Sequence, residues 1–279
     1  MGADITSRRW LITGANSGFG ASFVRAALAA GDDVIAAVRR PETMDEVVAA
    51  NPGRITVVAL DVRDADAARR AVEAAGRIDV LVNNAGYGIV GAIEETSDAE
   101  LRDVMEVMFY GPLNLTRLVL PQMRERRSGA IVQVSSMGGF LSFAGVGAYS
   151  AAKGALELAS EALAAEVSSL GIRVLIVEPG SFRTSFAGPA LRMSAEIADY
   201  ADTVGSTRGN LADSDQQQEG DPEKAAAAVV AVLSMAEPPL RLALGADAVG
   251  AIRGKLAAVA DDLDATAHLG LTTAVTENS

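Results

Sequence analysis

Arg9-Trp-Leu-Ile-Thr13, running straight into Gly14-Ala-Asn-Ser-Gly-Phe-Gly20, is the stretch that decides the fold. The first five residues read as a short buried strand. The stretch from residue 18 to 30 places Phe19, Phe23, Val24, Ala27 and Leu28 at helical spacing. Glycines between a strand and a helix let the backbone turn tightly and let a pyrophosphate approach the helix N-terminus. The spacing is Gly-x-x-x-Gly-x-Gly, and its place between the first strand and first helix gives it a weight that glycines alone lack. Gly14, Asn16, Ser17, Gly18, Phe19 and Gly20 are therefore candidate phosphate-side residues; the alternative is a tight turn with no ligand.

Outward from this turn, strand-like and helix-like segments alternate. Strands are expected at 34–38, 55–60, 79–82, 130–134, 172–177 and 240–244. Helices are expected at 44–50, 64–75, about 98–126 with an interruption near Gly111-Pro112, 148–170, 222–235 and 246–263. Continuous apolar strands separated by helices imply an α/β fold, a doubly wound parallel sheet with helices on both faces and the ligand across the carboxyl ends of the strands. No repeat or linker divides the 279 residues, so one domain over 1–279 is expected. Residues 181–220 differ: they turn polar towards Asp213-Ser-Asp-Gln-Gln-Gln-Glu-Gly220, and read as a mobile substrate lid or a solvated insertion.

Composition narrows the function. A net charge of −12 argues against a nucleic-acid surface. There is no cysteine, which removes disulfides and thiolate chemistry, and the single histidine, His268, reads as solvated in a polar tail, so no metal site is expected. No apolar run reaches membrane-spanning length, and residues 1–9 lack the apolar stretch of a signal peptide; a cytoplasmic protein without a membrane partner is expected.

Tyr149-Ser-Ala-Ala-Lys153 carries the chemistry, with Ser136 thirteen residues ahead of the tyrosine. Four residues apart on a helix is one face, one turn up. An ammonium there is expected to stabilise the phenolate and lower a pKa otherwise near 10. With a hydroxyl from Ser136 aimed at the same oxygen, this suggests acid/base work on a carbonyl or alcohol. Ser135 lies one residue further off, and Ser136 is preferred.

The end of the second strand, Ala37-Val38-Arg39-Arg40, bears on the nucleotide. NAD sites usually place an acid there for the ribose 2′-hydroxyl; here Val38 takes that slot and Arg39 follows, which suits a 2′-phosphate and favours NADP. Arg40 is a second candidate or an ordinary loop charge. Asp61-Val62 follows the third strand, where the carboxylate could take the adenine amino group or cap a helix. Asn83-Asn-Ala-Gly86 follows the fourth, where small and amide residues permit close contact with the adenosine ribose or tie neighbouring strands together.

Taken together, Thr13-Gly-x-x-x-Gly-x-Gly20, Asn83-Asn-Ala-Gly86, Ser136, Tyr149-x-x-x-Lys153 and Pro179-Gly180 with Thr184 resemble the short-chain dehydrogenases/reductases, over about residues 8–185. Arg39 resembles the NADP-preferring branch, and Glu178-Pro-Gly-Ser-Phe-Arg-Thr184 is similar to hydroxysteroid dehydrogenases and carbonyl reductases. The resemblance implies a Rossmann fold and an NADP-dependent oxidoreductase that interconverts a ketone or aldehyde and its alcohol, on a hydrophobic substrate. It implies that Tyr149 is the acid in reduction and the base in oxidation. Lys153 would hold the nicotinamide ribose and Ser136 the substrate oxygen. Pro179, Gly180 and Thr184 would line the nicotinamide, with Phe182 and the backbone of Ala85 and Gly86 also at the cofactor. It further implies a homodimer or homotetramer built on the 98–126 and 148–170 helices.

One position departs. In Val107-Met-Phe-Tyr-Gly111, Met108 occupies the slot where the family usually has an asparagine that holds a water linking the lysine to solvent. A thioether cannot donate a hydrogen bond. Three readings stay open: a relay rebuilt from other groups, a chain altered by engineering or otherwise with changed activity, or a regulatory protein that binds NADP with little turnover. A redox-neutral reaction on the same site is a further alternative. Met105, Leu115, Leu118, Val119 and Met123 read as core or subunit contacts. Tyr87, Met137, Phe140, Phe143 and Phe186 read equally as an apolar pocket or as packing.

Overall fold

A computed structural model of the chain describes residues 7–184, 186, 188 and 191–275. Seven parallel strands form the central sheet: β1 (Arg9–Thr13), β2 (Asp33–Val38), β3 (Ile55–Ala59), β4 (Val80–Asn83), β6 (Gly129–Val134), β7 (Ile172–Pro179) and β9 (Arg241–Leu244). A parallel two-stranded ribbon outside it joins β5 (Gly88–Val90) to β8 (Leu191–Met193). The helices are α1 (Gly18–Ala29), α2 (Asp45–Ala50), α3 (Ala65–Ala75), α4 (Asp98–Met105), α5 (Gly111–Arg126), α6 (Met137–Phe140), α7 (Gly147–Val167), α8 (Val204–Asp213), α9 (Pro222–Leu233) and α10 (Ala246–Gly270).

The strands are apolar throughout because both faces are covered. Trp10 and Ile12 of β1 join a core with Phe23, Val24 and Ala27 of α1 and with Ala226 and Val229 of α9. Leu11, between them, points the other way into Ala71 and Val72 of α3 and Leu115 and Val119 of α5. The strand order β3-β2-β1-β4-β6-β7-β9 reverses direction between β1 and β4. That switch point is where a doubly wound sheet opens a crevice at its carboxyl ends, and the glycine turn lies there.

Caps sit where the sequence provides them. Asp64 accepts from the N–H groups of Asp66 and Ala67 at the start of α3, and Asp221 from those of Glu223 and Lys224 at the start of α9.

One expectation holds and two change. The interruption expected near Gly111-Pro112 lies just ahead of it. A π-helical turn, Glu106–Tyr110, joins α4 to α5 and carries Met108, while Pro112 falls in the first turn of α5, where its missing N–H is harmless. The 181–220 segment is neither a bare loop nor merely solvated: β8 pairs with β5, and Arg208 of α8 is buried against Glu95 at 2.7 Å. Glu95 also accepts from the backbone N–H groups of Ala92 and Ile197, which fastens the segment to the body. Finally, α10 continues to Gly270 rather than ending near 263, so His268 stands on its last turn and not in an irregular tail.

Candidate active site

The glycine turn is shaped by backbone contact. Gly14 has φ +63°, the left-handed region, and a β-carbon on Gly20 would collide with the Gly14 carbonyl. Ser17 precedes α1 without a side-chain cap, so the first N–H groups of α1 remain available to an anion. Glycine at position 20 lets the turn fold back against the start of α1, and the uncapped helix end fits a pyrophosphate. The turn is braced from β4: the Asn84 amide donates to the Thr13 carbonyl at 2.9 Å, and the Thr13 hydroxyl accepts from the N–H groups of Asn84 and Ala85 at 2.9 and 3.0 Å. Asn84 thus ties the end of β4 to the end of β1, the strand-tying role expected of the Asn83-Asn-Ala-Gly86 stretch. The Asn83 side chain turns inward instead, donating to Gln133 at 2.9 Å, so a cofactor contact from Asn83 would have to come from its backbone.

Arg39 and Arg40 are exposed at the end of β2. β2 pairs with β3, and Arg39 is close enough to Asp61 to help lower its pKa, though Arg63 is the main cause. Asp61 is engaged three times by Arg63, which also reaches Asp103 at 2.7 Å. Asp103 in turn accepts from the Tyr87 hydroxyl at 2.6 Å and from Arg192 of β8 at 2.8 Å. A charge network thus links the end of β3 to the 181–220 segment. Burial and Asp103 hold the Tyr87 phenol well above its ordinary pKa.

After β7, the turn Pro179–Thr184 lies along the glycine turn. Phe182 packs on Phe19 with ring centroids 5.1 Å apart, and a β-carbon on Gly18 would lie 3.2 Å from Thr184. Asp247, in the first turn of α10, accepts from the Ser181 N–H at 2.7 Å and holds this turn in place. Nothing in the sequence pointed to Asp247.

Ser136, Tyr149 and Lys153 come together at the carboxyl end of β6. Ser136 caps α6, its hydroxyl accepting from the Gly138 N–H at 3.0 Å and donating to the Pro179 carbonyl at 3.4 Å. A β-carbon on Gly138 would lie 3.3 Å from Tyr149 Cε1 and 3.4 Å from Ser136 Oγ, so the two side chains border one space, and the Tyr149 ring meets Phe186 edge-on at 5.4 Å. The Lys153 ammonium lies 5.8 Å from the Tyr149 ring centroid and donates to the Val134 carbonyl at 2.7 Å.

This overturns one expectation. Tyr149 is not pulled towards neutrality: burial pushes it up to about 12, against a smaller lowering from Ser136. The ammonium is spent on Val134, and burial brings Lys153 itself down to about 8. Met108 is fully buried with Ile89, Val104, Ala148, Tyr149 and Ala152. A β-carbon on Gly86 would lie 3.8 Å from both Met108 Cε and Lys153 Nζ, so a methyl group borders the space next to the ammonium.

Behind these residues lies a charge cluster that the expected site did not include. Glu157 accepts from the Ser135 hydroxyl at 2.5 Å and pairs with Arg241 of β9 at 2.7 Å; Arg241 also pairs with Glu178. Its position four residues after Lys153, on the same helical face, is the one signal that could have found Glu157. Ser135 is therefore occupied away from the site, and Ser136 is the one of the pair that lies beside Tyr149. Among the described residues there is no cluster of His, Cys, Asp or Glu suited to a metal ion, and no helix is long and apolar enough to cross a membrane.

The short chain dehydrogenase family profile matches residues 8–194. The chain is 40% identical over 245 residues to an oxidoreductase, BOA17, of Botryotinia fuckeliana, covering 86% of this chain and 89% of the relative. It is 36% identical to a 3-ketodihydrosphingosine reductase of Bacteroides thetaiotaomicron, over 84% of this chain and 87% of the relative. A short-chain dehydrogenase from Streptomyces avermitilis superposes with a TM-score of 0.93 at 49% identity, over 98% of this chain and 100% of that one. One from Burkholderia cenocepacia, solved in complex with NADP, gives 0.74 at 26% identity, over 96% and 99%. The chain belongs to the short-chain dehydrogenase family and is an oxidoreductase with that family's doubly wound fold.

Proposed function

We propose that this chain is an NADP-dependent reductase and dehydrogenase that interconverts an apolar ketone or aldehyde and its alcohol. The observation that carries the reading is the meeting of Ser136, Tyr149 and Lys153 at the end of β6, beside the glycine turn. The nicotinamide cofactor supplies the hydride when bound. In reduction, the Tyr149 hydroxyl gives its proton to the carbonyl oxygen as that oxygen gains negative charge, and the Ser136 hydroxyl donates a hydrogen bond to the same atom. A phenol held up to about 12 is fully protonated at neutral pH and ready to act as the acid. Gly14, Asn16, Ser17, Gly18, Phe19 and Gly20 would receive the phosphates. Arg39, with Arg40, would take the 2′-phosphate, Asp61 and Val62 the adenine side, and Pro179, Gly180, Phe182 and Thr184 the nicotinamide. Phe186 makes an apolar approach to Tyr149, in keeping with a relative that reduces 3-ketodihydrosphingosine.

Met108 supports a second reading, an NADP-binding protein of low turnover, because a methyl group rather than an amide borders the space beside Lys153. Mixing the protein with NADPH and a panel of aromatic and long-chain ketones, and following loss of nicotinamide absorbance, separates the two. Turnover is expected in the native chain and a fall of about 10²–10⁴-fold in Tyr149→Phe, with NADPH affinity kept. Tight NADPH binding with no turnover on any ketone would reject the enzyme reading. An Arg39→Asp chain that keeps its preference for NADPH over NADH would reject the nucleotide assignment.

A further inference from the structure

Helix α10 is 25 residues long, yet Ala248 is its only buried residue. Its main contacts are with α6 and β9, at its base. From Arg253 onward nearly every residue is exposed. Most helices in proteins owe their stability to packing of one apolar face. This one has such a face, which the described residues leave largely uncovered: Ile252, partly buried, and Leu256, Val259 and Leu263, 53%, 47% and 65% exposed, recur four, three and four residues apart. That spacing is a coiled-coil seam.

The charges beside the seam choose the occupant. Arg253 and Lys255 lie in the first half of the exposed stretch, and Asp261, Asp262 and Asp264 in the second. Lys255 and Asp262 each lie directly before a seam residue, Leu256 and Leu263. If two copies of α10 run antiparallel, with Ile252 opposite Leu263 and Leu256 opposite Val259, the basic half of each faces the acidic half of the other. Lys255 then meets Asp262 on both sides of the pair. A parallel pairing would set Asp261, Asp262 and Asp264 against themselves. The antiparallel arrangement also aligns the helix dipoles favourably. A lipid surface fits less well: interfacial helices are rich in Lys and Arg with bulky aromatics, whereas the exposed half of α10 has three aspartates and no aromatic.

We infer that α10 is a self-association element, pairing antiparallel with the α10 of a second copy of this chain through Ile252, Leu256, Val259 and Leu263. This interface is separate from the 98–126 and 148–170 helices, and α10 lies outside the residues 8–194 that the family profile matches.

The absence of native cysteines makes the test clean. Full-length Ile252→Cys and Leu263→Cys chains are prepared separately, then mixed, allowed to exchange and oxidised. A disulfide-linked dimer is expected in the mixture and in neither chain alone, because identical positions would lie about 16 Å apart along an antiparallel pair. Linkage of either chain with itself, or none in the mixture, would overturn the arrangement. In light scattering, the Leu256→Glu/Leu263→Glu chain should show a mass about two-fold lower than the native chain, as loss of a two-fold interface requires. Its circular dichroism should match that of the native chain, since the altered side chains are exposed within a single copy. Equal masses would overturn the inference. So would co-sedimentation of the native chain with phosphatidylcholine vesicles that the double variant fails to bind.

Discussion

Replacing Met108 by asparagine tests the site where the chain departs from its family. Lys153 is buried, with the Val134 carbonyl as its hydrogen-bond acceptor, and its pKa falls from 10.5 to about 8. At 1.36 kcal/mol per pH unit, the burial penalty on the ammonium is about 3 kcal/mol. A hydrogen bond to a charged group returns about 1.5–3 kcal/mol, given directly by the amide or through a water it holds. The Lys153 pKa should then rise by at least about one unit. Near pH 8 the protonated fraction would go from about half to nine-tenths, and at pH 9 from about a tenth to about half. The assay is initial-rate NADPH oxidation with one reducible ketone from pH 6 to 10, beside a fluorescence titration of NADPH. The expected result is an alkaline limb moved up by about one pH unit, about five-fold faster turnover at pH 9, and unchanged NADPH affinity. Met108→Leu, which restores no polar group, should leave the limb in place. The fully buried thioether is also lost, so the asparagine variant should be less stable by about 2 kcal/mol. If the limb stays put and turnover is unchanged or lower, proton supply to Lys153 is already complete and the reasoning fails.

Two further outcomes follow from the same buried groups. Because Lys153 titrates near 8 in the folded chain and near 10.5 when unfolded, the unfolded state binds more protons between those values, so stability should rise with pH across that window. Urea midpoints measured from pH 7.5 to 10 should show the rise in the native chain and lose it in Lys153→Met; a flat native profile would contradict the buried, depressed ammonium. Glu157→Leu removes the acceptor of the Ser135 hydroxyl and leaves Arg241 short of one partner, and should destabilise the fold by about 3–5 kcal/mol in urea titrations. Glu157→Gln keeps an acceptor for Ser135 and should cost clearly less; equal losses would show that the Ser135 bond contributes nothing.

The sheet was legible because its strands are buried on both faces, so each appears as an uninterrupted apolar run such as Val34-Ile-Ala-Ala-Val38. The site motifs were legible because glycine conformation and the four-residue helical repeat are local. What escaped was non-local. β5 and β8 are three residues each, too short for a period to show, and they find each other across about a hundred residues of chain. The bond between Ser181 and Asp247 spans 66 residues, and no local pattern announces it. The Tyr149 pKa was misjudged for a related reason. The helical repeat places Lys153 on the right face, but the direction of its ammonium is set by Val134, a carbonyl on another element.

That carbonyl belongs to a pattern that explains why the site holds its shape. Tyr149, Lys153 and Glu157 occupy three successive turns of one face of α7, all buried, and a buried polar group without a partner is costly. Two of their partners are consecutive at the end of β6, the Val134 carbonyl for the ammonium and the Ser135 hydroxyl for the carboxylate, with Ser136 next in line beside the phenol. A shift of α7 by one turn along β6 would strand the ammonium and the carboxylate at once, so helix and strand fix each other's register. The remaining charge falls to the sheet edge. Burial and the nearby Glu157 raise the Glu178 carboxyl, and Arg241 lowers it again while pairing with Glu157 and Glu161. Arg241 belongs to β9, beyond the family-matched residues, and it is the cation that makes two buried carboxylates behind Tyr149 and Lys153 tolerable. The alignment of Tyr149 and Lys153 with Ser136 therefore depends on β9, a strand that supplies none of the three side chains.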